Sequence, residues 1–170
     1  MEFKVKISRR WAMPSKWTFD VLPVRKVIET YCSNGRNWAD PFSGKNIVTQ
    51  YHNNLGESGI DAYDFMDTFK DNSLDGVLFD PPYSMEQVKR SYAGVGISDW
   101  QTKYGDNRNG GFPHVKDMIK TKLKQDGMVI SFGWNSNGMG VKRGFEKIEI
   151  LLIAHGGNRN DTIVVVERKI

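Results

Sequence analysis

Apolar residues recur at Val24, Val27, Ile28 and Tyr31, an i, i+3, i+4, i+7 spacing that predicts an amphipathic helix over residues 23–32. Pro23 sits where a first-turn proline is tolerated. Beyond it the pattern shortens to apolar runs expected as strands at 37–42, 47–52, 60–63 and 76–79, each closing on Gly, Pro or polar residues. Ser84-Met85-Glu86-Gln87 then reads as a capping box, with Ser84 capping and Gln87 reaching back. Met85, Val88 and Tyr92 form the stripe of that helix, and Gly94 can end it. Residues 94–112 are glycine-rich, carry Trp100 and Tyr104, and show no period. A long loop is expected there, of the functional or mobile kind. Pro113 opens a further helix with Val115, Met118, Ile119 and Leu123 inward and Lys116, Lys120, Lys122 and Lys124 off the stripe. After the Gly127 break come strands at 128–132, 145–154 and 162–168, the last two joined by a turn-rich HGGNRND segment. The pattern implies an α/β fold: a seven-stranded, mostly parallel sheet with an antiparallel C-terminal hairpin.

The chain has 170 residues, which fits one domain spanning 1–170 and leaves almost no room for a separate target-recognition domain. With 39% hydrophobic, 12% aromatic and 26% charged residues, it is not a disordered chain. No apolar run approaches the roughly 20 residues of a membrane-spanning helix. The start, MEFKVKISRRW, has no stretch of signal-peptide type, so a cytoplasmic location is expected. Cys32 is the single cysteine, and His52, His114 and His155 are scattered, so no metal site is expected. The net charge of +4 is unevenly laid out. Residues 1–26 hold seven Lys/Arg against two acids, whereas 27–84 hold three against nine. Residues 85–125 hold eight against four. An acidic centre between basic flanks suits a cofactor-binding domain that offers basic surface to an anionic polymer, though solvated Lys-rich faces give the same pattern.

The segment with the most specific chemistry is Asp80-Pro81-Pro82-Tyr83-Ser84, directly after the buried-strand pattern Gly76-Val77-Leu78-Phe79. In open α/β sheets, ligands bind beyond the carboxyl ends of strands. The double proline restricts the backbone and fixes the direction of its carbonyls. Tyr83 offers a planar face to a base. The lone pair of an adenine N6 amine is delocalised into its ring, which makes the amine a poor nucleophile. Two acceptors, the Asp80 carboxylate and the Pro81 carbonyl, would draw its hydrogens out of plane and localise that lone pair for attack on an activated methyl group. The plainer reading is a turn that merely ends a strand.

Upstream, Trp38-Ala39-Asp40-Pro41-Phe42-Ser43-Gly44 ends an earlier strand in a turn. The order DPFSG, HNNLG, YDFMD, LFDPPYS, followed by ISFGWNSNGMG and HGGNRNDTIVVVERK, resembles the small phage-type S-adenosylmethionine-dependent DNA adenine N6 methyltransferases. The resemblance covers nearly the whole chain. It implies a Rossmann-like class I methyltransferase fold, S-adenosylmethionine as cofactor, DNA as partner, and a phage or mobile-element origin linked to masking of restriction sites. Thr18 and Phe19, within Trp17-Thr18-Phe19-Asp20, would approach the methionine end of the cofactor. Asp40, Phe42 and Ser43 would form the loop beneath it, Asn54 would address the ribose, and Asp64 and Phe65 the cofactor adenine. Asp80, Pro81, Pro82 and Tyr83 would hold the target amine.

The chain also departs from that family. Phe42-Ser43-Gly44-Lys45-Asn46 replaces the usual Phe-x-Gly-x-Gly, leaving less freedom for close backbone approach. Asn54 stands where an acid is usual, which removes a charge-assisted hydrogen bond, and Glu57 is the candidate substitute. Trp134 and Asn135, with Asn137 and Met139, follow the 128–132 strand and belong at the same sheet edge as Asp80. Trp134 reads equally as a stacking wall or as packing, while His155 reads first as a satisfied strand-end histidine. Lys89, Arg90, Lys103 and Arg108 are the basic candidates for nucleic-acid contact around the 94–112 loop. Three readings stay open: a DNA adenine N6 methyltransferase, an RNA base methyltransferase, and a nucleic-acid-binding module that keeps the fold without turnover. In the first, a homodimer or partner subunit would supply target recognition.

Overall fold

The computed structural model describes residues 4–97 and 112–170. In chain order the elements are β1 (Lys6–Trp11), a 3-10 turn (Thr18–Asp20), α1 (Leu22–Tyr31), β2 (Trp38–Asp40), β3 (Tyr51–His52), α2 (Leu55–Ser58) and α3 (Ala62–Asp67). These are followed by β4 (Leu74–Phe79), α4 (Met85–Ala93), α5 (Pro113–Lys122), β5 (Leu123–Gly133), a second 3-10 turn (Val141–Arg143), β6 (Phe145–Ala154) and β7 (Thr162–Lys169). The seven strands form one sheet in the order β1-β6-β7-β5-β4-β2-β3. All pairings are parallel except those of β7, which runs antiparallel to both β5 and β6. The α/β class and the antiparallel C-terminal hairpin are therefore as expected. So are the helix capped by Ser84 and the helix opened by Pro113, to within a residue or two.

The strand count agrees only because two differences cancel. Residues 60–63 are not a strand: Asp61 accepts the Tyr63 N–H (2.8 Å) and starts α3 instead. A short polar side chain in capping position outweighed the local strand preference. Conversely, β1 is a strand that the apolar pattern did not announce, and it pairs in parallel with β6 along its whole length. The run expected over 47–52 contracts to two residues.

Alternation along the strands builds two apolar layers. Leu78, Ile130, Phe132, Leu151, Ile153, Val164 and Val166 point to one face and pack with Val24, Val27 and Ile28 of α1. Cys32, fully reduced and buried, closes α1 within this layer, and its N–H donates to the Ile28 carbonyl (2.8 Å). Val77, Phe79 and Val129 point to the other face, with Met66 of α3, Val88 of α4, and Val115 and Ile119 of α5. Gly76 is required where β4 crosses Trp38, because a Cβ there would lie 2.3 Å from the indole. His155 is a structural group: Nδ1–H donates to the Ala12 carbonyl (2.9 Å), so Nε2 accepts from the Thr162 hydroxyl (2.8 Å). No described helix is long and apolar enough to cross a membrane. No described cluster of His, Cys, Asp or Glu could hold a metal ion.

Candidate active site

The parallel strands β2, β4 and β5 deliver their last residues to one edge of the sheet. β4 ends in Phe79, and Asp80-Pro81-Pro82-Tyr83 follows before Ser84 caps α4 by accepting the Gln87 N–H (3.3 Å). Gln87 does reach back, but one residue further than a standard box: its Oε1 accepts from the Tyr83 N–H (2.7 Å). That bond pins the tyrosine backbone to the first turn of α4. The Tyr83 hydroxyl donates to Asp80 Oδ1, and the Thr18 hydroxyl, 3.3 Å away, completes the chain. Since Tyr83 gives its proton to the carboxylate, Thr18 is the donor in the second bond. A segment remote in sequence thus meets the Asp80 motif directly.

A cavity of about 200 Å³ opens between the ends of β4 and β5. Phe79, Pro81 and Tyr83 line one side, and Ser131, Gly133, Trp134, Asn135 and Asn137 the other. Tyr83 and Trp134 meet edge to face, ring centres 5.6 Å apart, and the Trp134 ring remains substantially exposed. Asn135 Oδ1 accepts the Asn137 N–H (3.0 Å), which holds the turn after β5. The Ser131 hydroxyl is buried without a partner among the described residues. Such a wedge, with an aromatic wall, a polar base and a tyrosine bonded to Asp80, has the shape and chemistry for a flat heteroaromatic ring.

Two residues outside the sequence-based set shape this cavity. Lys116 lines it, donates to the Gly138 carbonyl (2.7 Å) and places its ammonium 5.5 Å from the Phe79 ring centre. Desolvation, then the charge of Arg143, hold its pKa below the ordinary lysine value. Glu167, fully buried in β7, accepts the backbone N–H groups of Met139 (2.5 Å) and Gly140 (3.0 Å). Gly138 must be glycine beside it, since φ is +58° and a Cβ would stand 2.2 Å from Glu167 Oε2. A lone acid inside the apolar run TIVVVERK was the signal for Glu167. Lys116 had none, being one of four lysines on a face that reads as solvated.

The Asp40 loop lies next to this motif on the same edge. Asp40 is buried, and its Oδ1 accepts the Phe42 N–H (2.9 Å). Both the N–H and the hydroxyl of Ser43 donate to the Asn53 carbonyl (3.0 Å each), so Ser43 closes the loop. Phe42 packs between Phe79 and Phe112. Trp17 lies over Gly44, with the Lys16 and Lys45 ammonium groups above its ring. Phe19 is buried against Phe132, with ring centres 5.1 Å apart. Burial, partly offset by the bond from Tyr83, raises the Asp80 pKa to about 6. Burial also raises Asp40 well above the ordinary carboxylate range, and the charge of Asp80 adds to this.

The remaining candidates are spread more widely. Asn54 caps α2, accepting the Gly56 N–H (3.1 Å). Asp64 is exposed on α3, and Phe65 is half-buried against Phe69. Lys89 and Arg90 project from the exposed side of α4, where Arg90 pairs with Glu86 (3.1 Å). Lys103 and Arg108 lie outside the described residues, as does most of the expected 94–112 loop.

No family model matches the chain, and no curated protein sequence matches it. Among solved structures it is similar to TrmN from Thermus thermophilus, at TM-score 0.54 and 14% identity over 88% of this chain. The chain has a methyltransferase fold. It spans about half the length of TrmN, 49% of which is covered. A proposed methylase from Haemophilus influenzae, HI0767, aligns at TM-score 0.47 and 8% identity, covering 93% of this chain and 92% of that one.

Proposed function

We propose that the protein transfers a methyl group from S-adenosylmethionine to an exocyclic nucleobase amine, with N6 of adenine in DNA as the acceptor. The observation that carries this reading is the Asp80–Tyr83 turn at the lip of an aromatic-walled cavity, on a sheet of methyltransferase fold. The donor set fits the cofactor. Two acids, Asp40 and Asp80, approach one another at the ends of neighbouring strands without a basic partner among the described residues, and Asp40 feels the charge of Asp80. A cation placed between them would relieve both burial and repulsion, and S-adenosylmethionine carries a sulfonium and an ammonium. Asp40, Phe42 and Ser43 would hold its methionine end, with Thr18 and Phe19 above, while Asn54, Asp64 and Phe65 would lie toward the nucleoside. When bound, it supplies an electrophilic methyl group.

The residues of the chain then do four things. The Asp80 carboxylate and the Pro81 carbonyl accept the two amine hydrogens and free the nitrogen lone pair. Tyr83 keeps Asp80 oriented through its hydroxyl while its ring, braced by Trp134, sandwiches the base. The proline pair and the Gln87 bond hold these groups still, so the amine is positioned rather than activated by a strong base. Asp80, poised near pH 6, can take the proton released after transfer. A base reaches this cavity only when it is out of its stack.

A second reading exchanges DNA for RNA. The same turn and cavity would accept an amine from an RNA base. The deciding experiment incubates the protein with S-adenosylmethionine and unmethylated DNA or RNA, then analyses nucleosides by mass spectrometry with Asp80→Ala as control. N6-methyladenine from DNA alone is the expected result. Product from RNA alone transfers the assignment to the second reading, and no product from either overturns both.

A further inference from the structure

Strand register puts the floor of the cavity and the outer edge of the sheet on one face. Phe79 pairs with Ser131, and the row through Gly133 continues to Ile163, Leu152 and Arg9 across β7, β6 and β1. Paired residues share a face. Ile7, Arg9 and Trp11 therefore lie on the same side of the sheet as Phe79, Ser131 and Gly133. On the β2–β4–β5 half this side is covered by α3, α4 and α5. On the β6–β1 half it stays open among the described residues: Ile7 is 67% and Trp11 65% exposed, and Leu152 and Ile163 are partly exposed. Three strand spacings of about 4.8 Å separate β5 from β1, about 14 Å in all, or about four nucleotides at a stacked rise of 3.4 Å.

The cation of β1 on this face is Arg9; Lys6 and Arg10 alternate to the other side of the strand. Lys6 is held by Glu149 on the opposite face (2.9 Å), whereas Arg9 makes no ion pair among the described residues. Basic groups alone would fit any polyanion. Here Arg9 lies between the exposed Ile7 and Trp11, apolar and indole surface that a duplex with its bases covered cannot use but unstacked bases can.

We propose that this open face binds single-stranded polynucleotide, with Trp11 as a stacking platform and Arg9 as a phosphate contact, and leads the strand into the Trp134–Tyr83 cavity. The proposal rests on the nucleobase reading above and adds to it the preferred strandedness of the acceptor. It also assigns the flanking contact to β1, away from α4 and the 94–112 segment.

The test measures fluorescence anisotropy with a labelled 15-nucleotide single-stranded DNA, its RNA counterpart and the matching duplex. The wild-type chain is expected to bind a single strand at least about tenfold more tightly than duplex. Trp11→Ala should weaken single-strand binding roughly tenfold, with rescue by Trp11→Phe, which keeps a stacking ring. Arg9→Ala should reduce the slope of log affinity against log salt by about 0.7. Affinity for S-adenosylmethionine, read by calorimetry, should be unchanged in these variants, which also reports that they fold. Equal binding of duplex, or single-strand binding indifferent to both substitutions, overturns this proposal and leaves the methyltransferase reading standing. A sedimentation mass of two chains that falls to one in Trp11→Ala assigns the face to a second copy and also overturns it. Absence of binding to every nucleic acid removes the nucleobase reading itself.

Discussion

Two sets of acids are partnered in opposite ways. Toward the hairpin, Glu149 is met by the Lys6 ammonium and the Tyr31 hydroxyl (2.7 Å), and Glu167 by two backbone N–H groups. Each is surrounded by donors that offset part of the cost of leaving water, and at Glu167 burial still raises the pKa. At the ends of β2 and β4, Asp40 has one backbone donor and Asp80 has hydroxyls, with no basic side chain paired to either among the described residues. Saturated acids hold a structure together, whereas acids left short of donors keep their acceptor capacity for something else. Folding tolerates that deficit at the edge where strands end, because a loop there costs little to hold open.

That contrast can be broken most sharply at Asp80. Asp80→Ala is expected to lower methyl transfer by about 10³-fold, the scale of removing one preorganised polar partner from a reacting group. Its thermal midpoint should stay at or above wild type, since burial disfavours the carboxylate. A matching loss of stability would place Asp80 with the structural acids. The mirror experiment is Glu167→Ala, which strands two buried N–H groups and should cost about 3 kcal/mol in denaturant unfolding. Wild-type stability in that variant would erase the distinction between the two sets.

A pH series sharpens the same comparison. Transfer requires Asp80 as an acceptor, so activity should rise as pH passes about 6 and level off above it. Stability runs the other way. Asp40 and Asp80 have folded pKa values above their unfolded ones, so their contribution is full below the ordinary carboxylate range and declines as pH rises through the folded values. Asp40→Asn should flatten that decline and leave the activity midpoint near 6, because burial and the hydroxyl bonds, not Asp40, set the Asp80 value. A midpoint that falls in that variant would show that an Asp40 charge reaches Asp80. The smallest effect belongs to the exposed Glu86–Arg90 pair, where Glu86→Ala should change stability too little to measure.

Much of this was legible in the chain itself. Ser84 and Pro113 mark helix starts by mechanisms that act within one turn, and the strand before Asp80 is apolar enough to be buried on both faces. The Asp80 turn could be placed because strand ends and helix caps are local. β1 was not legible: it is exposed along both sides, so no alternation marks it, and its ladder to β6 spans more than 140 positions of sequence. The same holds for Lys116, whose neighbours in sequence are solvated and whose neighbours in space are Phe79 and Gly138. The bond from Thr18 to Tyr83 joins two motifs recognised separately, but its existence depends on where α1 sets the 3-10 turn.

The lone thiol has a use of its own. Cys32 is sealed under α1 with its pKa pushed up to about 12 by burial, so as a folded group it is inert to alkylation near neutral pH. A reagent can reach it only when α1 lifts from the sheet. Because the chain has no second cysteine, the rate of modification under native conditions is a direct clock for that opening. Slowing of the clock on adding a methyl donor or an oligonucleotide would report how far binding at the far edge of the sheet tightens the layer beneath α1.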